Sequence, residues 1–249
     1  MTNKSRWNDI HYDYRGRSVL ITGGTSGIGA GIAAAYHAAG AEVIITGTRP
    51  GAGDYDEDLS QYRYLHLDVT DNRQIEQVAA SLGRLDILVN NGGAALIGDD
   101  PELFERSVQM HLSSAYRLSH ACRGLLADSR FGGNVIGIAS MTSYFGMPVV
   151  PGYGAAKAGL VQLTKTLAMA WADQRIRVNS VACGLIETRM TAGVVADEQM
   201  SAATLARTPQ KRFGTPAEVA GAVLFLTSRA ASFVTGQTLP VDGGYSIVG

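Results

Sequence analysis

The sequence has little of what marks several classes of protein. Among 249 residues there are only two cysteines, Cys122 and Cys183, too few and too far apart to predict a disulfide framework or a zinc site. The formal net charge is -1, so there is no basic surplus for binding nucleic acid or an anionic membrane. No apolar run reaches the ~20 residues of a membrane span, and residues 1–14 lack the apolar centre of a secretion signal. We therefore expect a soluble, cytoplasmic protein that binds no metal, nucleic acid or membrane.

What the chain does contain is a regular alternation of two kinds of segment. Short runs rich in β-branched residues are followed by longer, alanine-rich segments with helical spacing. This alternation predicts a single α/β domain, a doubly wound (Rossmann) parallel sheet with helices on both faces. We expect the domain to cover residues 15–249, after a polar N-terminal extension at 1–14 and with a substrate loop at about 185–212. The predicted strands are 18–22, 42–46, 64–67, 87–90, 134–139, 177–182 and 238–241, and the predicted helices are 29–39, 75–82, 101–127, 153–171 and 216–226.

A glycine-rich turn follows the first predicted strand directly. Gly23, Gly27 and Gly29 permit backbone angles closed to other residues and let the backbone approach a ligand closely. The helix that begins there offers unpaired N–H groups and a positive dipole end to phosphates. A tight turn alone would use the same residues, but the position between a strand and a helix favours a dinucleotide site. The expected contacts are Gly23, Thr25, Ser26, Gly27, Ile28 and Gly29.

The end of the second strand bears on which nicotinamide cofactor is used. Thr48 and Arg49 stand there, with no acidic residue to accept hydrogen bonds from the adenosine ribose. Arg49 favours NADP(H) over NAD(H), because a guanidinium can pair with the 2′-phosphate; alternatively it points into solvent. The segment from Arg49 to Gln61, too short for a crossover helix and rich in acids, predicts an exposed loop. Further cofactor contacts are expected after the third and fourth strands, at Asp68, Val69, Asn91, Gly92 and Gly93.

A second cluster consists of Ser140, Tyr153 and Lys157. Tyr153 and Lys157 are four residues apart, so they lie on one side of a predicted helix. A tyrosine pKa of about 10 is too high for easy proton transfer at neutral pH, and a nearby ammonium group lowers it. Ser140, directly after a strand, can hold a carbonyl oxygen while charge develops on it. Such a Tyr/Lys pair often lies on a solvated face, but together with the glycine-rich turn it indicates acid/base chemistry beside a nicotinamide.

These motifs, in this order, resemble those of the short-chain dehydrogenase/reductase family over about residues 17–244. The resemblance implies a seven-stranded sheet of order 3-2-1-4-5-6-7 and a tyrosine-based alcohol/ketone oxidoreductase, usually a homotetramer. It implies that Tyr153 and Lys157 contact the nicotinamide ribose and that Thr188 approaches the carboxamide, with Gly184 and Ile186 also at the cofactor. The motifs that carry it are the turn at 22–29, Asp68, 90–93, Ser140, the Tyr153/Lys157 pair, 177–179 and 241–244.

Three residues depart from the family pattern. His111 stands where the family has a catalytic asparagine that holds a water next to the lysine. Histidine can donate and accept protons, so His111 is either part of a working relay or merely structural. Gly92 replaces an alanine, and Cys183 replaces a proline. Cys183 is either a small apolar filler or a redox-sensitive thiol near the nicotinamide.

The substrate is expected to be a rather hydrophobic carbonyl compound or secondary alcohol. Apolar residues are common in the segments after the later strands, although each could instead pack the core or a subunit contact. The candidates are Leu96, Met147, Val149, Val150, Leu185, Ile186, Met190, Val194 and Val195. The stretch 187–210 could close over the site as a lid. The helices around 112–126 and 153–171 are apolar on more than one face, which favours a homotetramer or a dimer.

Two other functions use the same site. A non-catalytic sensor would bind the dinucleotide without turnover, and only His111 favours this hypothesis. An isomerase or lyase would use transient oxidation and show no net change at the nicotinamide. The complete set of Ser140, Tyr153 and Lys157 favours net hydride transfer.

Overall fold

Seven parallel strands form one sheet in the computed structural model, which describes residues 10–248. Their order, β3-β2-β1-β4-β5-β6-β7, confirms the predicted fold class and topology. The first nine residues of the predicted extension, and Gly249, lie outside the described residues. The strands are β1 (Ser18–Ile21), β2 (Glu42–Gly47), β3 (Arg63–His66), β4 (Ile87–Asn90), β5 (Gly133–Ser140), β6 (Ile176–Cys183) and β7 (Thr238–Val241).

The central strands are buried on both faces, which explains why apolar residues follow one another along them. In β1, Val19 and Ile21 belong to the core cluster on one face, and Leu20 belongs to the cluster on the other. A strand covered on both sides needs apolar side chains in both directions, so it does not show the alternation of a half-exposed strand. These strands form a rigid platform whose carboxyl ends all lie at one edge.

Helices cover the two faces of the sheet. On one face the first and last helices pack against each other, and on the other face the remaining long helices cover the sheet. The helices are α1 (Gly27–Ala38), α2 (Asn72–Ala80), α3 (Pro101–Val108), α4 (Ser114–Ala121), α5 (Arg123–Ala127), α6 (Pro151–Ala170), α7 (Ala192–Ala196), α8 (Glu198–Arg207) and α9 (Pro216–Thr227).

The single helix predicted over 101–127 is wrong, because the structure divides it. A π-helical turn at Gln109–Ser113 separates α3 from α4, and Cys122 separates α4 from α5. At the π turn the Ser114 hydroxyl donates to the Met110 carbonyl at 2.5 Å, a local bond that competes with the helical ladder. Such π bulges are frequent at functional sites, and this one carries His111.

Two predicted surface segments contribute to the core. Leu59, in the segment predicted as an exposed acidic loop, is 6% exposed, and Tyr55 is half-buried, so that prediction holds only for the acidic side chains. Tyr14, the last residue of the predicted extension, is 1% exposed, and its hydroxyl donates to Leu224 O at 2.6 Å. The packed domain therefore begins before residue 15.

Residues 185–212 also differ from the loop that was expected. They contain a 3-10 turn at Arg189–Thr191 followed by α7 and α8, whose side chains are mostly exposed. Within residues 10–248, no helix is long and apolar enough to cross a membrane. The same residues contain no cluster of three or more His, Cys, Asp or Glu side chains suited to a metal ion.

Candidate active site

The predicted catalytic residues converge at the carboxyl edge of the sheet. Ser140 ends β5 and Cys183 ends β6, and the two are paired neighbours in the sheet. Tyr153 and Lys157 lie in the first turns of α6, which Pro151 begins with its fixed φ and missing N–H. In open parallel sheets of this kind, ligands bind outside the carboxyl ends of the strands.

Burial shifts the pKa values of both Lys157 and Tyr153. The Lys157 side chain is buried, its Nζ donates to the Ile138 carbonyl at 2.6 Å, and it lies 5.4 Å from the centre of the Tyr153 ring. Burial lowers the pKa of Lys157 from 10.5 to about 8. Burial, and secondarily the Cys183 thiol, raises the pKa of Tyr153 to about 12, although a hydrogen bond with Ser140 opposes that rise. At neutral pH the phenol is therefore protonated and the ammonium is charged.

Ser140 is fixed at the entrance to a short 3-10 turn. Its Oγ accepts a hydrogen bond from the Thr142 N–H at 3.2 Å, which caps the turn at Met141–Ser143. Ser140 also lowers the pKa of Tyr153, which opposes the effect of burial. Ser140 and Tyr153 thus present two hydroxyls side by side, an arrangement that can hold one carbonyl or alcohol oxygen.

His111 lies edge-on to Tyr153. Their ring centres are 4.9 Å apart with an interplanar angle of 88°. His111 Nε2 lies 2.9 Å from the Ala94 carbonyl; because a carbonyl only accepts, Nε2 carries the proton and Nδ1 is an acceptor. Nδ1 is buried and has no partner among the described residues. Burial first, and then the charge of Lys157, lowers the pKa of His111 to about 3, so the ring is neutral.

A cavity of about 10 Å³ lies between β4, the π turn and α6, and both His111 and Lys157 line it. A volume of about 10–15 Å³ is what one water needs, provided that polar groups surround it. Gly93 makes room for the histidine, because it has φ +146° and a Cβ there would overlap the imidazole ring. The remaining lining residues are Thr22, Val69, Ile75, Asn90, Gly92, Met110, Ser114, Ala115 and Leu118.

The glycine-rich turn has the shape that a diphosphate needs. Gly23 and Gly27 have φ of +63° and +55°, in the region that favours glycine. Ser26 caps α1 without a side-chain hydrogen bond, so the first N–H groups of the helix remain for a ligand. Ile28 packs against the core, and Gly29 leaves no space for a Cβ beside the Gly23 carbonyl. The residues present therefore fit a dinucleotide.

The loop after β4 is tied to that turn. Asn91 Nδ2 donates to the Thr22 carbonyl at 2.9 Å, and the N–H groups of Asn91 and Gly92 donate to the Thr22 hydroxyl at 2.9 and 2.8 Å. A Cβ on Gly92 would lie 3.2 Å from the Thr22 Cβ, tighter than most packed contacts. This close approach gives a physical reason for glycine where the family has alanine.

Residues after β6 lie beside the same turn. A Cβ on Gly27 would lie 3.3 Å from Thr188 Cγ2, so Thr188 is next to the predicted phosphate site. Gly184 is packed against Asp242, where a Cβ would lie 2.7 Å from Asp242 Cα. Ile186 is 3% exposed, which leaves its backbone rather than its side chain for any ligand. Burial raises the pKa of Cys183 to about 12, which favours a packed thiol over a reactive one.

The adenosine end of the predicted site contains four predicted residues and one, Tyr55, that sequence reasoning missed. Asp68 is exposed, and its Oδ1 accepts from the Thr70 N–H at 2.8 Å. Val69 is half-buried and lines the cavity described above. Thr48 and Arg49 are exposed at the end of β2, and Tyr55 folds back onto them. The contact between Tyr55 and the end of β2 could not be predicted from residue spacing, because it depends on the path of the loop between them.

The fold and this set of side chains define a nucleotide-dependent oxidoreductase. A family model described as enoyl-(acyl carrier protein) reductase matches residues 23–246. The chain belongs to the short-chain dehydrogenase/reductase family, whose members are oxidoreductases.

Individual relatives differ in what they act on. A 3-oxoacyl-[acyl-carrier-protein] reductase of Escherichia coli K12 is 38% identical over 246 residues, covering 95% of this chain and 100% of the relative. A 2-dehydro-3-deoxy-D-gluconate 5-dehydrogenase of the same organism is 34% identical, covering 94% and 97%. Among solved structures, a gluconate 5-dehydrogenase from Burkholderia cenocepacia J2315 in complex with NADP and tartrate has a TM-score of 0.88 at 30% identity, covering 95% and 98%.

Proposed function

We propose that the protein interconverts a secondary alcohol and a ketone by hydride transfer to or from NADP(H). The observation that carries the proposal is the convergence of Ser140, Tyr153 and Lys157 beside a glycine-rich turn whose helix N–H groups are open. A dinucleotide held on that turn would extend along the carboxyl edge of the sheet toward these side chains. The nicotinamide supplies or accepts the hydride.

The three side chains divide the acid/base work. Ser140 Oγ holds the substrate oxygen, and Tyr153 donates a proton to it in reduction or removes one in oxidation. Lys157 contributes positive charge near the phenol, which favours the phenolate when the proton leaves. Burial raises the pKa of Tyr153 to about 12, and the hydrogen bond with Ser140 opposes that rise.

We further propose that His111 takes the place of the family asparagine in proton delivery. Its Nδ1 is an acceptor without a protein partner among residues 10–248, and it lines a one-water cavity together with Lys157. A water there can donate to Nδ1 and accept from the ammonium, which connects Lys157 to the π turn. The imidazole stays neutral in this role, because its pKa is about 3.

The NADP(H) preference is proposed to depend on Arg49. Within residues 10–248, no carboxylate lies within 4.0 Å of its guanidinium, so its charge is available to a 2′-phosphate. The complex of the Burkholderia relative with NADP supports the same preference. Thr48, Asp68, Val69 and the 91–93 loop complete the proposed adenosine and ribose contacts.

The substrate is proposed to be fairly hydrophobic. Several apolar side chains predicted at the mouth are exposed, namely Met147 (47%), Val149 (52%) and Met190 (56%), and Ile97 beside them is 74% exposed. Val150 and Ile186, also predicted to line the site, are buried and belong to the packing instead. The relatives include a 3-oxoacyl-[acyl-carrier-protein] reductase and a 2-dehydro-3-deoxy-D-gluconate 5-dehydrogenase, so the substrate panel should include both acyl and polyhydroxylated compounds.

The assembly is proposed to be a homotetramer that works in the cytoplasm. Large apolar side chains are exposed on several outer faces, including Tyr116 on α4, Met169 on α6 and Phe225 on α9. Burying such residues between copies removes apolar surface from water. Analytical ultracentrifugation should give a tetrameric mass, and a monomeric mass would contradict this part of the proposal.

The decisive experiment is titration of the purified protein with NADP(H) and NAD(H), followed by a panel of ketones and alcohols at the nicotinamide absorbance. We expect tighter binding of NADPH, and turnover that Tyr153→Phe abolishes without weakening cofactor binding by more than about threefold. Binding without turnover on a broad panel would favour a sensor. Substrate conversion without net absorbance change would favour an isomerase or lyase.

The role of His111 has its own test. His111→Asn should retain most of kcat, whereas His111→Ala should lower kcat and leave the KM for cofactor unchanged. Equal retention of kcat in both variants would make His111 merely structural.

A further inference from the structure

Tyr55 folds back from the acidic loop onto the end of β2. Its hydroxyl accepts a hydrogen bond from the Arg49 N–H at 3.0 Å and lies 3.5 Å from the Tyr64 hydroxyl. Tyr64 in turn donates to the Arg49 carbonyl. The backbone of Arg49 is therefore held on both its N–H and its C=O by phenol groups.

The Tyr55 phenol also occupies a defined place beside the glycine-rich turn. A Cβ on Gly47, the last residue of β2, would overlap the Tyr55 hydroxyl and would lie 2.9 Å from Thr25 Cγ2. Tyr55, Gly47 and Thr25 are thus in direct contact. In dinucleotide-binding folds, the end of this strand is where the adenosine 2′ position is recognised. Tyr55 therefore stands at the point where the two nicotinamide cofactors differ.

The Tyr55 ring supports the Arg49 side chain as well as its backbone. The Arg49 guanidinium carbon lies 4.8 Å from the ring centre, and the guanidinium donates to the Asp54 carbonyl. The Asp54 carboxylate is used elsewhere, because its Oδ2 accepts from the Gly51 N–H at 2.8 Å. The guanidinium is thus oriented by an aromatic face and a neutral carbonyl, which leaves its charge for an anion.

We propose that Tyr55 is the positioning residue for NADP(H) selection: it holds Arg49 over the adenosine 2′ site, and Gly47 is required because of it. This inference depends on the proposed function, in which Arg49 pairs with the 2′-phosphate. Tyr55 acts through Arg49 and leaves NAD(H) binding, which has no phosphate at this position, almost unchanged. The path of the acidic loop 51–58 places the Tyr55 ring against the end of β2.

The test measures Kd for NADP+ and NAD+ by isothermal titration calorimetry, and kcat and KM for NADPH and NADH. The variants are Tyr55→Leu, Tyr55→Phe, Arg49→Gln and the double variant Arg49→Gln/Tyr55→Leu. Tyr62→Leu is the matched control, because Tyr62 is a half-buried tyrosine directly after the same segment that packs against His37 instead of Arg49.

Tyr55→Leu should raise the Kd and KM for the phosphorylated cofactor about tenfold, and those for NAD(H) less than twofold, without changing kcat. Tyr55→Phe, which keeps the ring, should show two- to threefold effects. The double variant should be no worse than Arg49→Gln alone, and Tyr62→Leu should not discriminate between cofactors.

Two failures can be told apart. If Arg49→Gln affects both cofactors equally, the proposed NADP(H) recognition by Arg49 is wrong. If Arg49→Gln discriminates but Tyr55→Leu weakens both cofactors equally, or adds to Arg49→Gln in the double variant, the positioning role of Tyr55 is overturned. Should Tyr55→Leu not fold, an effect of Tyr55→Phe confined to NADP(H) supports the role, and equal effects on both cofactors refute it.

Discussion

Lys157→Met is predicted to stabilise the cofactor-free protein while abolishing its activity. Burial lowers the pKa of Lys157 from 10.5 to about 8. The difference of about 2.5 units (10.5 − 8), at about 1.36 kcal/mol per unit, corresponds to about 3 kcal/mol by which the buried charge destabilises the folded state at pH 7. Losing the hydrogen bond from Nζ to Ile138 O offsets about 1–2 kcal/mol of this. A gain of about 1–2 kcal/mol remains.

The pH dependence identifies the cause of that gain. Between pH 8 and 10.5 the unfolded state keeps the lysine proton that the folded state has lost, so the wild-type free energy of unfolding rises with pH in this window. The advantage of methionine should therefore be full below pH 8 and shrink toward pH 10.5. Above that value, the wild type and the variant should differ only through the hydrogen bond and packing.

The assay is urea unfolding followed by circular dichroism at pH 7 and pH 10, without cofactor. Lys165→Met is the matched control, because Lys165 is an exposed lysine of the same helix. Its stability change should be within about 0.5 kcal/mol and independent of pH. A Lys157→Met protein less stable than wild type at pH 7, or an advantage that does not fall with pH, would refute the reasoning. The charge of Lys157 would then be compensated in the folded protein.

Two further predictions concern the walls of the site. Gly93→Ala should lower kcat at least tenfold and reduce stability by about 1–3 kcal/mol, because Gly93 has φ +146° and a Cβ would overlap the His111 ring; wild-type values in thermal unfolding and turnover would contradict this. Cofactor should protect α7 and α8 from limited proteolysis, since their side chains are mostly exposed and Thr188 precedes them at the phosphate turn; cleavage at an unchanged rate would count against a lid.

The fold was predictable because its signals are local. The run 19–21 is apolar and the turn after it is rich in glycine, so strand, turn and helix could be placed without knowledge of the rest of the chain. The predicted ends of helices were less accurate where a capping side chain determines the first residue of the helix. Helix α2 begins at Asn72, three residues before its predicted start, because the Asp71 carboxylate accepts from the Arg73 and Gln74 N–H groups.

The site was predictable where one element carries several of its residues. Tyr153 and Lys157 share a helix, and the glycine-rich turn is one segment. The role of Tyr55 could not be foreseen, because it depends on a loop returning to β2. The tautomer of His111 could not be foreseen either, since it is fixed by the Ala94 carbonyl, seventeen residues earlier in the chain. Tertiary contacts of this kind leave no periodic pattern in a sequence.

The protonation state of Tyr153 predicts how the two directions of the reaction depend on pH. Burial raises the pKa of Tyr153 to about 12, so the phenol of the free enzyme is protonated at pH 7 and is ready to act as an acid. Ketone reduction needs this form, whereas alcohol oxidation needs the phenolate. We expect kcat/KM for oxidation to rise by up to about tenfold per pH unit between pH 7 and 8, where Lys157 keeps its charge, and kcat/KM for reduction to stay nearly flat in that window.

Ser140→Ala separates this explanation from a general effect of pH. The Ser140 hydrogen bond lowers the pKa of Tyr153, so its loss should move the rising limb of the oxidation profile to higher pH, in addition to lowering the rate. Initial rates in both directions, measured with the same alcohol/ketone pair, provide the test. An oxidation profile that is flat from pH 7 to 8, or one that Ser140→Ala leaves in place, would show that another group controls the proton. His111 and Cys183 would be poor candidates for that group, because burial keeps the imidazole neutral and the thiol protonated across this range.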